Sequence, residues 1–286
     1  MPGFVGKLRL TLRMIRIEHS VFALPFALIS ALVAADGVPA PGQLLWILVA
    51  MVAARSAAMG FNRLADRKFD RLNPRTQKWP LAAGLLSSAF VGAFVAVCSL
   101  ILVYAAFRLN PLAFKLSPVA LLIILGYSLT KRFTALSHWF IGLALAVAPA
   151  GAWIAVRGRL DLAPALLGLA ILFWTAGFDL IYSCQDADFD RQQNLFSVPS
   201  RYGIGAALLT SRLCHAATVA LLLLFGYFSG LGWIYNGGVA LVSALLIYEH
   251  SLVSPSDLSR VNEAFFTING LISVLLLLFA SVDLYF

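Results

Sequence analysis

The run Leu86-Ser-Ser-Ala-Phe-Val-Gly-Ala-Phe-Val-Ala-Val-Cys98-Ser-Leu-Ile-Leu-Val-Tyr-Ala-Ala-Phe107 contains no charged residue. A helix needs about 20 such residues to cross the roughly 30 Å hydrocarbon layer of a bilayer. Comparable runs recur when the chain is broken at Pro, Gly and charged clusters. They give spans at 19–36, 44–61, 86–107, 111–128, 138–156, 162–184, 205–229, 232–250 and 263–285. This pattern predicts an all-α polytopic membrane protein with nine transmembrane helices, its termini on opposite sides, and a single membrane domain over 1–286. Composition agrees, with 61% hydrophobic and 12% charged residues, where a soluble domain carries about 25% charged. A soluble enzyme, a disordered chain and a nucleic-acid reader are excluded. The net charge of +8 has its ordinary explanation in basic cytoplasmic loops.

Those loops set an expected orientation. Of the 21 Lys and Arg residues, only Arg108, Lys115, Arg157 and Arg159 fall on one side of the nine spans. The others cluster in the N-terminal arm, in the loop after the second span and near the ends of the fourth, sixth and eighth. The N-terminus and the long polar loops are therefore expected in the cytoplasm, in a bacterial-type inner membrane. The arm over 1–18 alternates Lys7, Arg9, Arg13 and Arg16 with Leu8, Leu10, Leu12 and Ile15, in the manner of a basic amphipathic helix on a membrane surface rather than a signal peptide. Cys98, Cys184 and Cys214 form no spaced pair and read as small core hydrophobes.

A faint internal repeat accompanies the spans. Asp66 and Asp70 recur 120 residues later as Asp186 and Asp190, each second aspartate followed by Arg (Arg71, Arg191), and Tyr127 recurs as Tyr248. An offset of four spans keeps the orientation, so the copies form a parallel four-helix repeat, with one further helix, and both acidic clusters lie at the same membrane face. Six of the 13 carboxylates fall in two short windows, Asp66–Asp70 and Asp179–Asp190. On a helix Asn62, Asp66 and Asp70 share one face, about 6 Å apart along the axis. Asp179, Tyr182, Asp186 and Asp190 stay within roughly 80° of arc if their helix persists, and Asp188 points elsewhere.

Carboxylates gathered at the end of an apolar bundle repel one another and call for positive charge between them. Oxygen ligands without matching His or Cys favour a hard cation such as Mg²⁺. Arg67, Lys68, Arg75, Lys78 and Lys131 nearby would oppose a bare cation site but would suit a polyphosphate bridged through Mg²⁺. A diphosphate beside an apolar bundle points to a lipid tail held in the hydrocarbon. If that tail is allylic, neutralising the leaving diphosphate is the main catalytic task. The four histidines show no ligand spacing: His19 and His138 fall at span starts and His250 at a span end. An ion-coupled transporter also carries intramembrane carboxylates, but near the midplane on broken helices rather than at span ends.

The stretch Asn62-Arg-Leu-Ala-Asp66-Arg-Lys-Phe-Asp70 resembles the first aspartate motif of the UbiA family of intramembrane aromatic prenyltransferases. Asp179-Leu-Ile-Tyr182-Ser-Cys-Gln-Asp186-Ala-Asp-Phe-Asp190 is similar to the second, and Tyr127-Ser-Leu-Thr-Lys131-Arg132 to the family's tyrosine–lysine motif. The resemblance covers about residues 16–270. It implies condensation of a polyprenyl diphosphate with an aromatic carboxylate acceptor inside the bilayer. Asn62, Asp66, Asp70, Asp186 and Asp190 would then hold Mg²⁺ and diphosphate, Arg75 and Lys131 would bind phosphate, and Tyr127, Asp179 and Tyr182 would line the reacting centre. Where many relatives read Arg-Thr-x-x-Arg-Pro, this chain has Arg75-Thr76-Gln77-Lys78-Trp79-Pro80. Trp79 cannot bind phosphate, so either Lys78 compensates or that contact is absent. Arg55 shares the Asn62 face about 10 Å deeper along the axis, where it either snorkels to the cytoplasmic interface or clamps the acceptor carboxylate. Glu18–Phe26 and Tyr127–Trp139 resemble the 4-hydroxybenzoate polyprenyltransferase-like branch, which implies a role in ubiquinone or menaquinone synthesis. Gln185-Asp186 and Asp257–Glu263 lean toward members that prenylate a larger, futalosine-derived acceptor.

Overall fold

The computed structural model describes residues 4–15 and 22–286, and among these there is no β-strand. The helices are α1 (Phe4–Ile15), α2 (Leu24–Ala35), α3 (Pro41–Leu72), α4 (Ser88–Leu109), α5 (Pro111–Thr130), α6 (Ser137–Arg157) and α7 (Leu162–Ser183). A 3₁₀ turn, Cys184–Asp186, leads into α8 (Ala187–Gln192) and α9 (Val198–Tyr202). Then follow α10 (Ile204–Phe228), α11 (Trp233–Ser251), a π-helical turn (Glu263–Ile268) and α12 (Asn269–Asp283). Seven of these units are long and apolar enough to cross a membrane: α3, α4, α5, α6, Leu162–Gln192, α10 and Glu263–Asp283. The expected first span falls on α2, only 12 residues long, and the expected eighth on α11, which carries Asn236, Glu249 and His250.

Helix ends follow local chemistry. Proline occupies the first turn of α2, α3 and α5, where its missing N–H costs nothing. Ser87 caps α4 by accepting from the Phe90 N–H at 3.2 Å, and Asn110 caps α5 by accepting from Ala113 at 2.9 Å. Gly158, at φ +68°, closes α6 in the left-handed region. The second span was expected to end near residue 61, but α3 continues to Leu72. No breaker interrupts the segment until Asn73, which precedes Pro74 and is extended at φ −82°, ψ 120°. The first aspartate cluster therefore rides on the same rigid helix as Arg55.

α7 is the central element, packed along both α6 and α10, and its window is the most buried of the seven. Two glycines make the close packing possible. A Cβ on Gly142 would lie 2.3 Å from the Leu172 carbonyl oxygen, and one on Gly177 would lie 2.3 Å from the His215 ring. Trp174 packs at a tilt against Phe26 and edge-to-face against Phe178, with centroids 5.0 and 4.9 Å apart. The Ser30 hydroxyl donates to the Pro149 carbonyl at 2.6 Å and ties α2 to α6. In the arm, α1 turns Met14 and Ile15 onto Leu81, Leu86 and Val91, leaving Arg9, Leu12 and Arg13 exposed. Glu18 and His19 lie outside the described residues. The three cysteines are free and buried.

The α6–α7 contact is the fold's tightest backbone approach to a glycine among those described. Gly142→Val should lower stability by about 1–3 kcal/mol, the scale of overpacking a filled interface, read as a lower thermal midpoint in detergent. An unchanged midpoint would mean that the two helices can separate without loss.

Candidate active site

The twelve residues given a site role from the sequence line one cavity of about 880 Å³. Arg67 and Lys68, expected near the phosphates, do not: Arg67 donates to the Ser88 hydroxyl at 2.8 Å and Lys68 is exposed. α3 supplies Arg55, Asn62, Asp66 and Asp70, and the loop after it supplies Arg75 and Lys78. The end of α5 contributes Tyr127 and Lys131, and α7 contributes Asp179 and Tyr182. The 3₁₀ turn brings Asp186, and α8 brings Asp190. α7 does not persist as one α-helix through the second motif, yet the tightened turn keeps all four of its residues on the cavity wall. Asp188 points away, 86% exposed and paired with Arg191 at 3.0 Å. Tyr248, expected as the counterpart of Tyr127 in a repeat, is not among the lining residues; its hydroxyl accepts from Arg260 at 3.2 Å.

The carboxylates are held by cations rather than by one another. The Lys131 ammonium donates to Asp66 Oδ2 at 2.7 Å, while Asp66 Oδ1 is buried with no hydrogen-bond partner. The Asn62 amide donates to Asp66 and to the Ser128 hydroxyl, both at 3.3 Å. Arg63 reaches Asp70 Oδ2 at 3.3 Å and Asn62 Oδ1 at 2.5 Å. Arg75 grips Asp186 bidentately and donates to the Tyr182 hydroxyl at 2.8 Å. Asn73 donates to the same Asp186 oxygen at 3.1 Å, so the loop leaving the first cluster closes over the second. Burial works against the charge on Arg75, but the hydrogen bond to Asp186, with the fields of Asp186 and Tyr182, outweighs it and raises its pKa further. Asp190 accepts from the Ser197 hydroxyl at 2.9 Å. Tyr182 stacks on Phe265, with centroids 4.2 Å apart, which brings the π-helical turn to the cavity.

Three residues escaped the sequence argument. Arg63 was counted only as one basic residue of a loop. Trp79 was seen as a lost phosphate contact, yet its ring lies 3.9 Å from the Arg63 guanidinium carbon and so forms a platform under that cation. His138, set aside with the other histidines, is 2% exposed and bonds Asp179 at 2.7 Å. Its contacts come from chain segments 41 and 60 residues away, so no local spacing could reveal them.

An apolar helical bundle holding such a charged, cation-bridged cavity defines a membrane-embedded enzyme. Residues 23–271 match the UbiA prenyltransferase family, and the chain belongs to that family. It is an integral membrane, prenyl-transferring enzyme, and the transporter alternative falls away. Over 254 residues it is 30% identical to a 4-hydroxybenzoate octaprenyltransferase of Paraburkholderia phytofirmans, covering 87% of each chain. It is 32% identical to the enzyme of that name in Cupriavidus necator, covering 91% of this chain and 92% of that one. The apo structure of a UbiA homolog from Aeropyrum pernix K1 superposes with a TM-score of 0.85 at 36% identity, over 93% of this chain and 98% of that one. A UbiA homolog from Archaeoglobus fulgidus bound to DMAPP and Mg²⁺ shares the fold at a TM-score of 0.74 and 20% identity, over 96% of this chain and 99% of that one.

The stacking of Arg63 on Trp79 should be measurable. Trp79→Leu is expected to cost about 0.5–2 kcal/mol, the range of a cation–π contact, seen as a lower thermal midpoint, with Trp79→Phe recovering part of the loss. Equal midpoints for all three proteins would show that the ring does not hold Arg63.

Proposed function

We propose that this enzyme transfers a polyprenyl group from a polyprenyl diphosphate to an aromatic acid of the 4-hydroxybenzoate kind, with Mg²⁺, on a route to ubiquinone or menaquinone. The observation that carries this reading is the single cavity in which two acidic clusters, their paired cations and Arg55 meet. The curated relatives are named for that acceptor, and the A. fulgidus homologue was solved with DMAPP or GPP together with Mg²⁺, and also with Cd²⁺. Helix boundaries support a parallel repeat. Shifting Pro41–Leu72 by 120 positions gives 161–192, against Leu162–Gln192 for α7 through α8. We read nine crossings, with the N-terminus and the acidic loops facing the cytoplasm, from the distribution of Lys and Arg.

The donor set fits a hard divalent ion shared with a ligand. Among the described residues no three His, Cys, Asp or Glu side chains converge on one point, and Asp66 Oδ1 lacks a partner. An ion here would therefore complete its shell with phosphate oxygens, as Mg²⁺ commonly does. Asn62, Asp66, Asp70, Asp186 and Asp190 would hold it, and when bound it would neutralise the charge growing on the departing diphosphate. Arg75, Lys78 and Lys131 bind the remaining phosphate oxygens, and the loss of a family arginine at Trp79 is met by Arg63 close by. Tyr127 and Tyr182 turn aromatic faces to the allylic cation. Arg55 clamps the acceptor carboxylate inward of the diphosphate, and Asp179 borders the chamber between them.

Turnover with Mg²⁺, a polyprenyl diphosphate and 4-hydroxybenzoate tests this, with products identified by mass. Asp66→Asn and Asp186→Asn should each lower turnover by roughly 10²–10³, the scale of losing one preorganised electrostatic contact. Arg55→Lys should raise the acceptor KM by about tenfold or more and leave the diphosphate KM nearly unchanged. Wild-type turnover by Asp186→Asn, or no product from any aromatic acid, would overturn the reading.

A further inference from the structure

The His138 ring is fixed at both nitrogens. The Val198 N–H donates to Nε2 at 3.2 Å, so Nε2 is unprotonated and the proton sits on Nδ1. That N–H then points at Asp179 Oδ2, 2.7 Å away. Val198 is the first residue of α9, whose leading N–H groups have no partner within the helix. The ring passes one of those groups on to a carboxylate. Both ends are anchored. His138 is 2% exposed, and α9 is set by a capping box in which Ser197 and Ser200 bond each other's N–H groups. The Ser197 hydroxyl also donates to Asp190, so one short helix governs a carboxylate on α8 directly and one on α7 through the ring. Asp179 itself keeps 23% of its side chain exposed on the cavity wall.

We propose that His138 is a positioning residue: locked in the Nδ1–H tautomer by the α9 backbone, it holds one oxygen of Asp179 and turns the carboxylate toward the acceptor chamber. This rests on the role read above for Asp179. An Asp on α7 facing an open cavity could take several rotamers, and one fixed donor removes that freedom in advance of substrate binding. Glutamine could do the same work, accepting from Val198 through its carbonyl and donating to Asp179 through its amide, whereas leucine can do neither.

The test is a double-mutant cycle on the full-length enzyme. Asp179→Asn should lower kcat by about 10²-fold or more, and His138→Leu by about 10- to 100-fold, the cost of a carboxylate misplaced by about 1 Å. The diphosphate KM should change less than about twofold in His138→Leu, and His138→Gln should recover most of kcat. In the Asp179→Asn background His138→Leu should cost less than about twofold, because the residue acts only through Asp179. If His138→Leu does not fold, Val198→Pro removes the N–H while a ring replaces the buried isopropyl group; proline suits the first helical position, and Ser197 before it is already extended at φ −144°, ψ 159°. It should lower kcat in the same sense, and again only where Asp179 is present. A damaging Asp179→Asn with additive losses in the double variants would overturn the positioning role alone. Wild-type kcat for Asp179→Asn would overturn both that role and the function read for Asp179.

Discussion

Carboxylates held at the end of an apolar bundle must be matched by positive charge, and the rest of this architecture answers that requirement. Asp66, Asp70 and Asp186 each have a cation within reach, from Lys131, Arg63 and Arg75. Those cations come from α5, α3 and the loop after α3. Arg63–Asp70 lies within α3, while Lys131–Asp66 ties the end of α5 to α3 and Arg75–Asp186 ties the loop after α3 to the 3₁₀ turn. Removing Lys131 or Arg63 would leave Asp66 or Asp70 buried and unmatched, which is costly at low dielectric. The same pairs define a resting arrangement. On the proposed reading, a diphosphate with a divalent ion would offer both signs at once, negative oxygens for Lys131 and Arg75 and positive charge for the carboxylates they release.

The surrounding helices make that exchange local. α3 runs unbroken from Pro41 to Leu72, so Arg55 and the first aspartate cluster keep a fixed separation along one axis. α7 is pinned between α6 and α10 through Gly142 and Gly177, where a larger residue would push the helices apart. Its end tightens into a 3₁₀ turn that brings Asp186 to the Arg75 loop. Tyr182 on α7 meets Phe265 of the π-helical turn. The chamber is thus bounded by rigid elements, and the residues free to re-pair are the ends of long side chains.

Much of the site was legible in the sequence because its residues lie at helical spacing within two short windows. Asn62, Asp66 and Asp70 could be placed on one face from their intervals alone, and the second window announced itself as a copy of the first. The apolar runs fixed the helical class for the same reason, since length and lack of charge are local properties. Contacts between distant segments were not legible. His138 meets Asp179 and Val198 through the packing of α6 on α7 and α9, and Arg63 meets Trp79 only because the loop after α3 folds back. A hydropathy boundary is not a helix boundary: the apolar run ends near residue 61, while the charged turns of α3 remain helical until Pro74 stops them. α2 and α11 show the converse, as segments that read as spans yet are too short or too polar to qualify by length and composition.

On the proposed reading, the paired carboxylates and cations form one site for a diphosphate and a divalent ion bound together. Thermal unfolding of the purified protein, followed with Mg²⁺ alone, a polyprenyl diphosphate alone and both together, tests it most directly. The account predicts little protection from either component alone and a large shift with both, with Mg²⁺ raising the apparent diphosphate affinity by about tenfold or more. Diphosphate protection that is equally strong in the presence of a chelator would contradict it.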